Sequence, residues 1–591
     1  MRIQILSLLL LGPVCSPAGE DWRILFEKSN GVRTCRLAET IRYCRRLDSA
    51  CAWVRYESFG VSPRGRELPL VIVSREEAFT PGAAAKTGKE IILIQSGIHA
   101  GEIDGKDASL MLMREIALTR TLAPLLDHAI LLFVPVFNVD GYERFGPFNR
   151  INQNGPEETG WRTTAQNLNL NRDYLKADAP EMRSMLRLFQ AWLPDLTVDC
   201  HVTDGVDMQY DVTYSVETGP NMEPPVASWI REVLLPRTLA ETGAAGHGIF
   251  PYVFLREDNR PERGIIAGAT PPRFSTGYLA VQNRAGLLVE THMLKPYRTR
   301  VRATYTLLQA VLRRVNEAPG ALRRAVLEAD ARTVRAGSSA GNFLGLRFGI
   351  GPGSTPRTFL GIESVEESSS VSGGMKRVST GKPVTITVPF LDHVIVTDSV
   401  TVPFAYLIPP EWNDLAGVLG LHGVRMDRLT EERELEVESY RFTNVQFRER
   451  PYEGRQTASY TAEPVQERRV FPEGTILIRT AQRSAKAAMH LLEPRSADSF
   501  AAWGFLNTVF EQKEYAEDYV MEAEGERMLE ADPALRRRYE EALAADSAFA
   551  ARPGARLNWL YLRSRWADPL LNAYPAARLP LPADIPTEPL P

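Results

Sequence analysis

Cysteine is scarce: five in 591 residues, with Cys15 inside an apolar N-terminal leader, are too few for a disulfide scaffold. The other four, Cys35, Cys44, Cys51 and Cys200, allow one structural bridge in an oxidising compartment. Cys44 and Cys51 are the nearest pair, although a spacing of seven also suits two free thiols on one helical face. Charge of one sign is missing too. Lys plus Arg number 69 against 73 Asp plus Glu, a net charge of −4, which excludes a general electrostatic attraction to nucleic acid or anionic lipid. Beyond the leader no run approaches ~20 uninterrupted apolar residues, so no membrane span is expected and the mature chain should be soluble. There are no internal repeats.

What is present is ordinary globular composition, 44% hydrophobic and 24% charged, in a chain long enough for several domain-sized units. Residues 1–18 pair Arg2 with an apolar run from Ile3 to Leu11 and a small-residue stretch ending at Ala18. That pattern predicts a cleaved signal peptide, hence a secreted or periplasmic protein.

Within an expected first domain at residues 19–325, short apolar runs alternate with helical periodicity from Leu70 to about Val315. Leu70 to Val73, Ile91 to Ile94, Ile130 to Val136, Leu196 to Val198 and Leu287 to Val289 read as buried strands; Lys106 to Leu118, Pro180 to Trp192 and Tyr297 to Val315 read as helices. The expected fold is α/β, a mostly parallel mixed sheet covered by helices. Beyond about residue 330, Val384 to Val388 and Val400 to Val402 alternate with period two, so residues 326–495 are expected to form a β-rich accessory domain, with Glu366 to Gly374 as a linker-like loop. Residues 496–591 predict a helical region, capped at Asp532-Pro533, ending in a flexible Pro-rich tail.

Chemistry gathers at the ends of the predicted strands. Ile91 to Ile94 runs into Gly97-Ile98-His99-Ala100-Gly101-Glu102, where an imidazole and a carboxylate three residues apart can meet on one metal ion if the loop is tight. Leu196 to Val198 leads to His201, at the strand end where open parallel sheets collect ligand-binding groups. Two histidines and one carboxylate leave a coordination position for water, as catalytic zinc requires. Glu290 ends a third apolar run and is the candidate general base, unless it forms a salt bridge with Arg284 or His292. The polar stretch Phe148 to Tyr174 holds Arg162, Asn171 and Arg172, suited to an anionic substrate group, or else a solvated loop.

In that order, His99-x-x-Glu102, Trp161-Arg162, Asn171-Arg172, His201 and Glu290, together with Gly60-x-Ser62-x-x-Gly65-Arg66, resemble the zinc carboxypeptidase family of the carboxypeptidase A and B type. The resemblance covers about residues 36–315. It implies one zinc ion held by His99, Glu102 and His201, water activated by Glu290, an oxyanion stabilised by Arg162, and a peptide substrate whose free C-terminal carboxylate is gripped by Asn171 and Arg172. It also implies a substrate-facing tyrosine, for which Tyr278 is the candidate. In one respect the chain departs from the family, which commonly carries Asp where Asn169 stands behind the first zinc histidine; Asp104 or Asp199 could compensate. The substrate side chain is expected to face residues between about Gly246 and Ser275, where Arg256, Glu257, Asp258, Arg260 and Arg273 offer both signs of charge. The expected activity is that of a zinc metallocarboxypeptidase. A zinc-dependent amidase or deacylase on the same scaffold, and a catalytically silent binding protein, are the alternatives.

Overall fold

The computed structural model describes residues 20–590; the leader at 1–18 lies outside them. The strands are β1 (Val54–Val61), β2 (Glu67–Val73), β3 (Glu90–Ser96), β4 (Ala129–Val134), β5 (Leu196–Thr203), β6 (Val212–Ser215), β7 (Ile249–Pro251), the two-residue β8 (Phe254–Leu255) and β9 (Ile265–Ile266), and β10 (Ala285–His292). All but β8 and β9 form one mixed sheet in the order β1-β2-β4-β3-β5-β10-β6-β7. Its centre, β4-β3-β5-β10, is parallel throughout.

Both faces of that centre are covered, which is why its strands read as continuous apolar runs. Ile92 and Ile94 point to one core with Leu110, Leu307 and Val311, on helices Asp104–Met113 and Tyr297–Glu317. Their neighbours Ile91 and Leu93 point to the other with Met185 and Phe189, on helix Pro180–Trp192. Truncating such a buried leucine to alanine costs ~2–5 kcal/mol. The predicted helix from Lys106 to Leu118 is two pieces, α-helix Asp104–Met113 and a wider π turn at Arg114–Leu118.

The later chain forms β11 (Phe343–Ile350), β12 (Thr355–Ser368), β13 (Met375–Leu391), β14 (Val394–Thr401), β15 (Ala405–Ile408), β16 (Asp427–Leu429), β17 (Arg433–Phe447), β18 (Ala458–Phe471), β19 (Ile476–Arg479), β20 (Ala577–Leu579) and β21 (Thr587–Pro589). Here the structure corrects three expectations. Residues 366–374 are no linker: they are the tip of the β12–β13 hairpin, with the bend at 369–374. The Pro-rich end is woven into the β-rich unit: β21 pairs with β16 at the edge of the sheet, where proline is tolerated, while β20 just before it is inserted between β15 and β17. Helix resumes only at Asp518, although Asp532 does cap helix Pro533–Ala545, accepting from the N–H groups of Ala534 and Leu535. Tyr406, Tyr440, Ile476 and Leu491 share a core with Leu70, Ile91 and Ile130.

Cys44 is a fully buried free thiol on helix Leu37–Ala50, and the Cys51 thiol donates to the Ala117 carbonyl at 3.2 Å, so the two are not bridged. Ser62 and Arg66 both bind Asp140, at 2.9 and 2.7 Å, which ties the β1–β2 turn to the chain after β4.

Candidate metal centre

Beyond β3 the chain turns at Gly97, whose φ of 67° lies in the left-handed region that glycine enters without penalty. The turn brings His99 and Glu102 back over the sheet end, closed by the Glu102 N–H donating to the His99 carbonyl at 2.9 Å. The adjacent strand β5 delivers His201, and one strand further Glu290 of β10 is its register partner. His99, Glu102 and His201 are each under 5% exposed, and their ligand atoms lie within 4.8 Å of one another.

The three donors are already oriented. Nδ1 of each histidine faces Oε2 of Glu102, at 3.0 Å in both cases. The opposite ring nitrogens are held from behind, Nε2 of His201 by Asp199 Oδ2 at 3.0 Å and Nε2 of His99 by Asn169 Oδ1 at 3.1 Å. Such outer partners fix tautomer and ring plane, leaving the Nδ1 lone pairs for a cation. Asn169 thus occupies the place expected of an aspartate, supplying an oxygen without a charge. Asp199 serves His201 rather than His99, while Asp104 binds Arg300 and Thr291.

Electrostatics divides the two imidazoles. Burial lowers His99 to about 4, Glu102 opposing, so its ring is neutral and fit to bind metal. For His201 burial acts the same way but is outweighed by Asp199, Glu102 and Glu290, which hold the ring more basic than usual. Burial pushes the Glu290 carboxyl well above the ordinary range, with His201 opposing and Glu102 and Asp199 reinforcing the rise. The salt bridges open to Glu290 in the sequence do not form: Arg284 pairs with Asp330 and His292 with Asp207.

Seven of the eight residues singled out in the sequence, His99, Glu102, Arg162, Asn171, Arg172, His201 and Glu290, line one cavity of about 1390 Å³. Arg162 donates to Oε1 of Glu102 at 3.1 Å from a side chain that is 39% exposed. The Arg172 guanidinium donates to the Asn171 carbonyl at 2.7 Å and lies 4.3 Å from the Phe274 ring centroid.

Tyr278 is the exception. It is fully buried, its hydroxyl accepts from Gln190 and Gln282 and lies 3.1 Å from His422 Nδ1, and its ring packs on Tyr174 and Phe189. Helix Ser275–Val281 turns that side chain into the core rather than toward the strand ends. Tyr252 lines the cavity instead, its phenol kept protonated by burial and by the charge of Glu290. It precedes the β8–β9 excursion, so distance in sequence from Glu290 could not identify it.

Two further residues escaped the sequence reading. Arg150 sits 2.9 Å from Oε1 of Glu102, packed where a Cβ on Gly101 would come within 2.6 Å of it, so only glycine at 101 leaves it room. Glu217, a buried carboxylate in the cavity wall, accepts the N–H groups of Gly219 and Thr270 at 2.7 and 2.8 Å. By contrast, Arg256, Glu257, Asp258, Arg260 and Arg273 do not line the cavity; Arg260 pairs with Glu366 and Arg273 with Asp498. The accessory unit contributes a wall of its own through Arg357, Phe390, Asp392 and His393.

Residues 40–225 match the family model described as zinc carboxypeptidase. Over 488 residues the chain is 24% identical to carboxypeptidase 2 of Trichophyton rubrum, covering 78% of this chain and 82% of that protein. It is 23% identical over 483 residues to carboxypeptidase 2 of Trichophyton tonsurans, with the same coverage of both chains. Among solved structures, a metallo-carboxypeptidase from Pseudomonas aeruginosa aligns with 18% identity and a TM-score of 0.36, covering 48% of this chain and 68% of that one.

Proposed function

We propose that this chain is a zinc metallocarboxypeptidase, as the family match at residues 40–225 supports, and that it removes the C-terminal residue of peptides in an exported, secreted or periplasmic setting. The observation that carries the reading is the convergence of His99, Glu102 and His201 within 4.8 Å, with Glu290 in register beside His201. Two imidazoles and a carboxylate, buried and held from behind, are the donor set of a catalytic zinc site. Bound there, a single zinc ion would supply Lewis acidity that lowers the pKa of a water molecule.

The chain's own groups supply the rest. A carboxylate oxygen of Glu290 takes the proton of the attacking water and returns it to the leaving amine; its raised proton affinity suits both transfers near neutral pH. Arg162 is exposed enough to leave Glu102 and donate to the developing oxyanion. Arg172, steadied over Phe274, and the Asn171 side chain present donors to the terminal carboxylate, setting where the chain is cut. Tyr252 offers a further donor at the cavity wall. Export rests on the apolar leader pattern at residues 1–18.

Metal analysis combined with turnover of blocked dipeptides tests the reading. One zinc per chain and hydrolysis of free-acid peptides support it. Zinc with hydrolysis only of C-terminally amidated or acylated substrates favours an amidase or deacylase, and neither metal nor turnover leaves a binding protein.

A further inference from the structure

The C-terminal half reaches the metal centre through the β17–β18 hairpin. Its tip closes between Tyr452 and Arg455, which exchange backbone hydrogen bonds, and lies against residues 168–178. There the Asn169 backbone N–H donates to Oε2 of Glu453 at 3.1 Å. The side chain of Asn169 meanwhile does two things at once: its Oδ1 faces Nε2 of His99 at 3.1 Å and accepts the Asn171 N–H at 3.0 Å.

We propose that Glu453 is a positioning residue of the metal centre. By holding the main chain of Asn169 it keeps one amide oxygen aimed at both His99 and the Asn171–Arg172 pair, coupling metal ligand and carboxylate clamp. The proposal rests on the reading of His99 as a metal ligand.

Three features support it. Glu453 has a φ of 49°, left-handed backbone that crowds an L side chain, whereas Gly454 beside it at 78° does so freely. Keeping a carboxylate at a strained turn position, where glycine would be easier, points to work for the side chain. The tip is also anchored independently of Glu453. Arg455 grips Asp178 through two hydrogen bonds of 2.6 and 2.7 Å and stacks on Phe505, and the Tyr452 ring lies parallel to that of Trp503. Glu453 is therefore delivered to Asn169 rather than held in place by it. Lastly, Asn169 sits on an irregular loop whose ordering no sheet or long helix enforces, so each outside bond to that loop limits the orientations its side chain can sample.

The test uses full-length protein carrying Glu453→Gly, which removes the carboxylate and relieves the backbone, and Glu453→Gln, which keeps an acceptor oxygen. Zinc affinity is measured by chelator competition, thermal unfolding with zinc chelated, and kcat and KM separately on a free-acid peptide. Glu453→Gly should unfold at the wild-type temperature or higher yet weaken zinc binding roughly 10-fold and raise KM, with most of the loss recovered in Glu453→Gln. A merely structural role would move stability and zinc affinity together. Combining Glu453→Gly with Asn169→Ala should lose no more zinc affinity than Asn169→Ala alone. Wild-type zinc affinity in Glu453→Gly, or additive losses in the double variant, overturns the proposal. A wild-type protein that binds no zinc removes the metal-centre reading itself, and this proposal with it.

Discussion

Glu290 stands beside His201 as its register partner across the parallel β5–β10 pair, only 8% exposed and without an arginine or lysine salt bridge among the described residues. A carboxylate so placed is costly to keep for structure alone. Glu290→Gln preserves its shape and removes the base, so kcat should fall by roughly 10² to 10⁴ while zinc content is unchanged. Steady-state kinetics with metal analysis decides it; near-normal turnover would assign the water's proton to another group.

Arg172→Ala should separate exopeptidase from amidase. Removing a charge-assisted contact leaves the substrate carboxylate poorly paired, a loss on the order of 2 to 5 kcal/mol, or roughly 30-fold to several thousand-fold in kcat/KM. Free-acid peptides should show that loss, whereas C-terminally amidated peptides should be poor substrates for the wild type and lose little more. Equal rates on both in the wild type, with equal proportional losses in the variant, would contradict C-terminal recognition.

Tyr278→Phe should act on stability and not on catalysis. The change strands the Gln190 and Gln282 donors in the core, costing about 1–3 kcal/mol, while kcat/KM stays near wild type. A specific rise in KM with unchanged unfolding would restore Tyr278 to the substrate.

A pH-dependent liability sits at Glu181, fully buried with neither carboxylate oxygen hydrogen-bonded to another residue's side chain. Burial raises its pKa from 4.5 to about 7, Asp140 and Asp173 adding to the rise. Between those values the folded state keeps a proton that the unfolded state releases, so stability declines as pH rises through the window. Glu181→Gln should therefore gain on the wild type by up to about 3 kcal/mol above pH ~8, the difference vanishing near pH ~4. Denaturant unfolding across that range measures it, and a gain that does not depend on pH would rule out titration of Glu181.

Much of the catalytic half was legible because its signals are local. Strands buried on both faces carry apolar runs, so β3, β4, β5 and β10 announce themselves, and His99 and Glu102 just past the end of β3, with His201 and Glu290 in the C-terminal parts of β5 and β10, fall where a parallel sheet gathers its ligands. Helix Pro180–Trp192 was bounded correctly because Pro180 suits the first turn and the apolar positions keep a 3.6-residue period.

Other features depend on partners distant in the chain. Whether a tyrosine near Glu290 faces substrate or core is decided by the rotation of helix Ser275–Val281 and by the β8–β9 excursion, which together bury Tyr278 and present Tyr252. The short, Pro-interrupted segments at the C-terminus read as loose tail because an added strand draws its hydrogen bonds from neighbours far away in sequence. Sequence alone determined the central strands and the ligand types at their ends, since burial on two faces and donor chemistry are written residue by residue. Only the tertiary structure decided that Arg150 meets Glu102 and that Glu453 reaches Asn169 across 284 positions, because these contacts exist only once separate chain segments pack together.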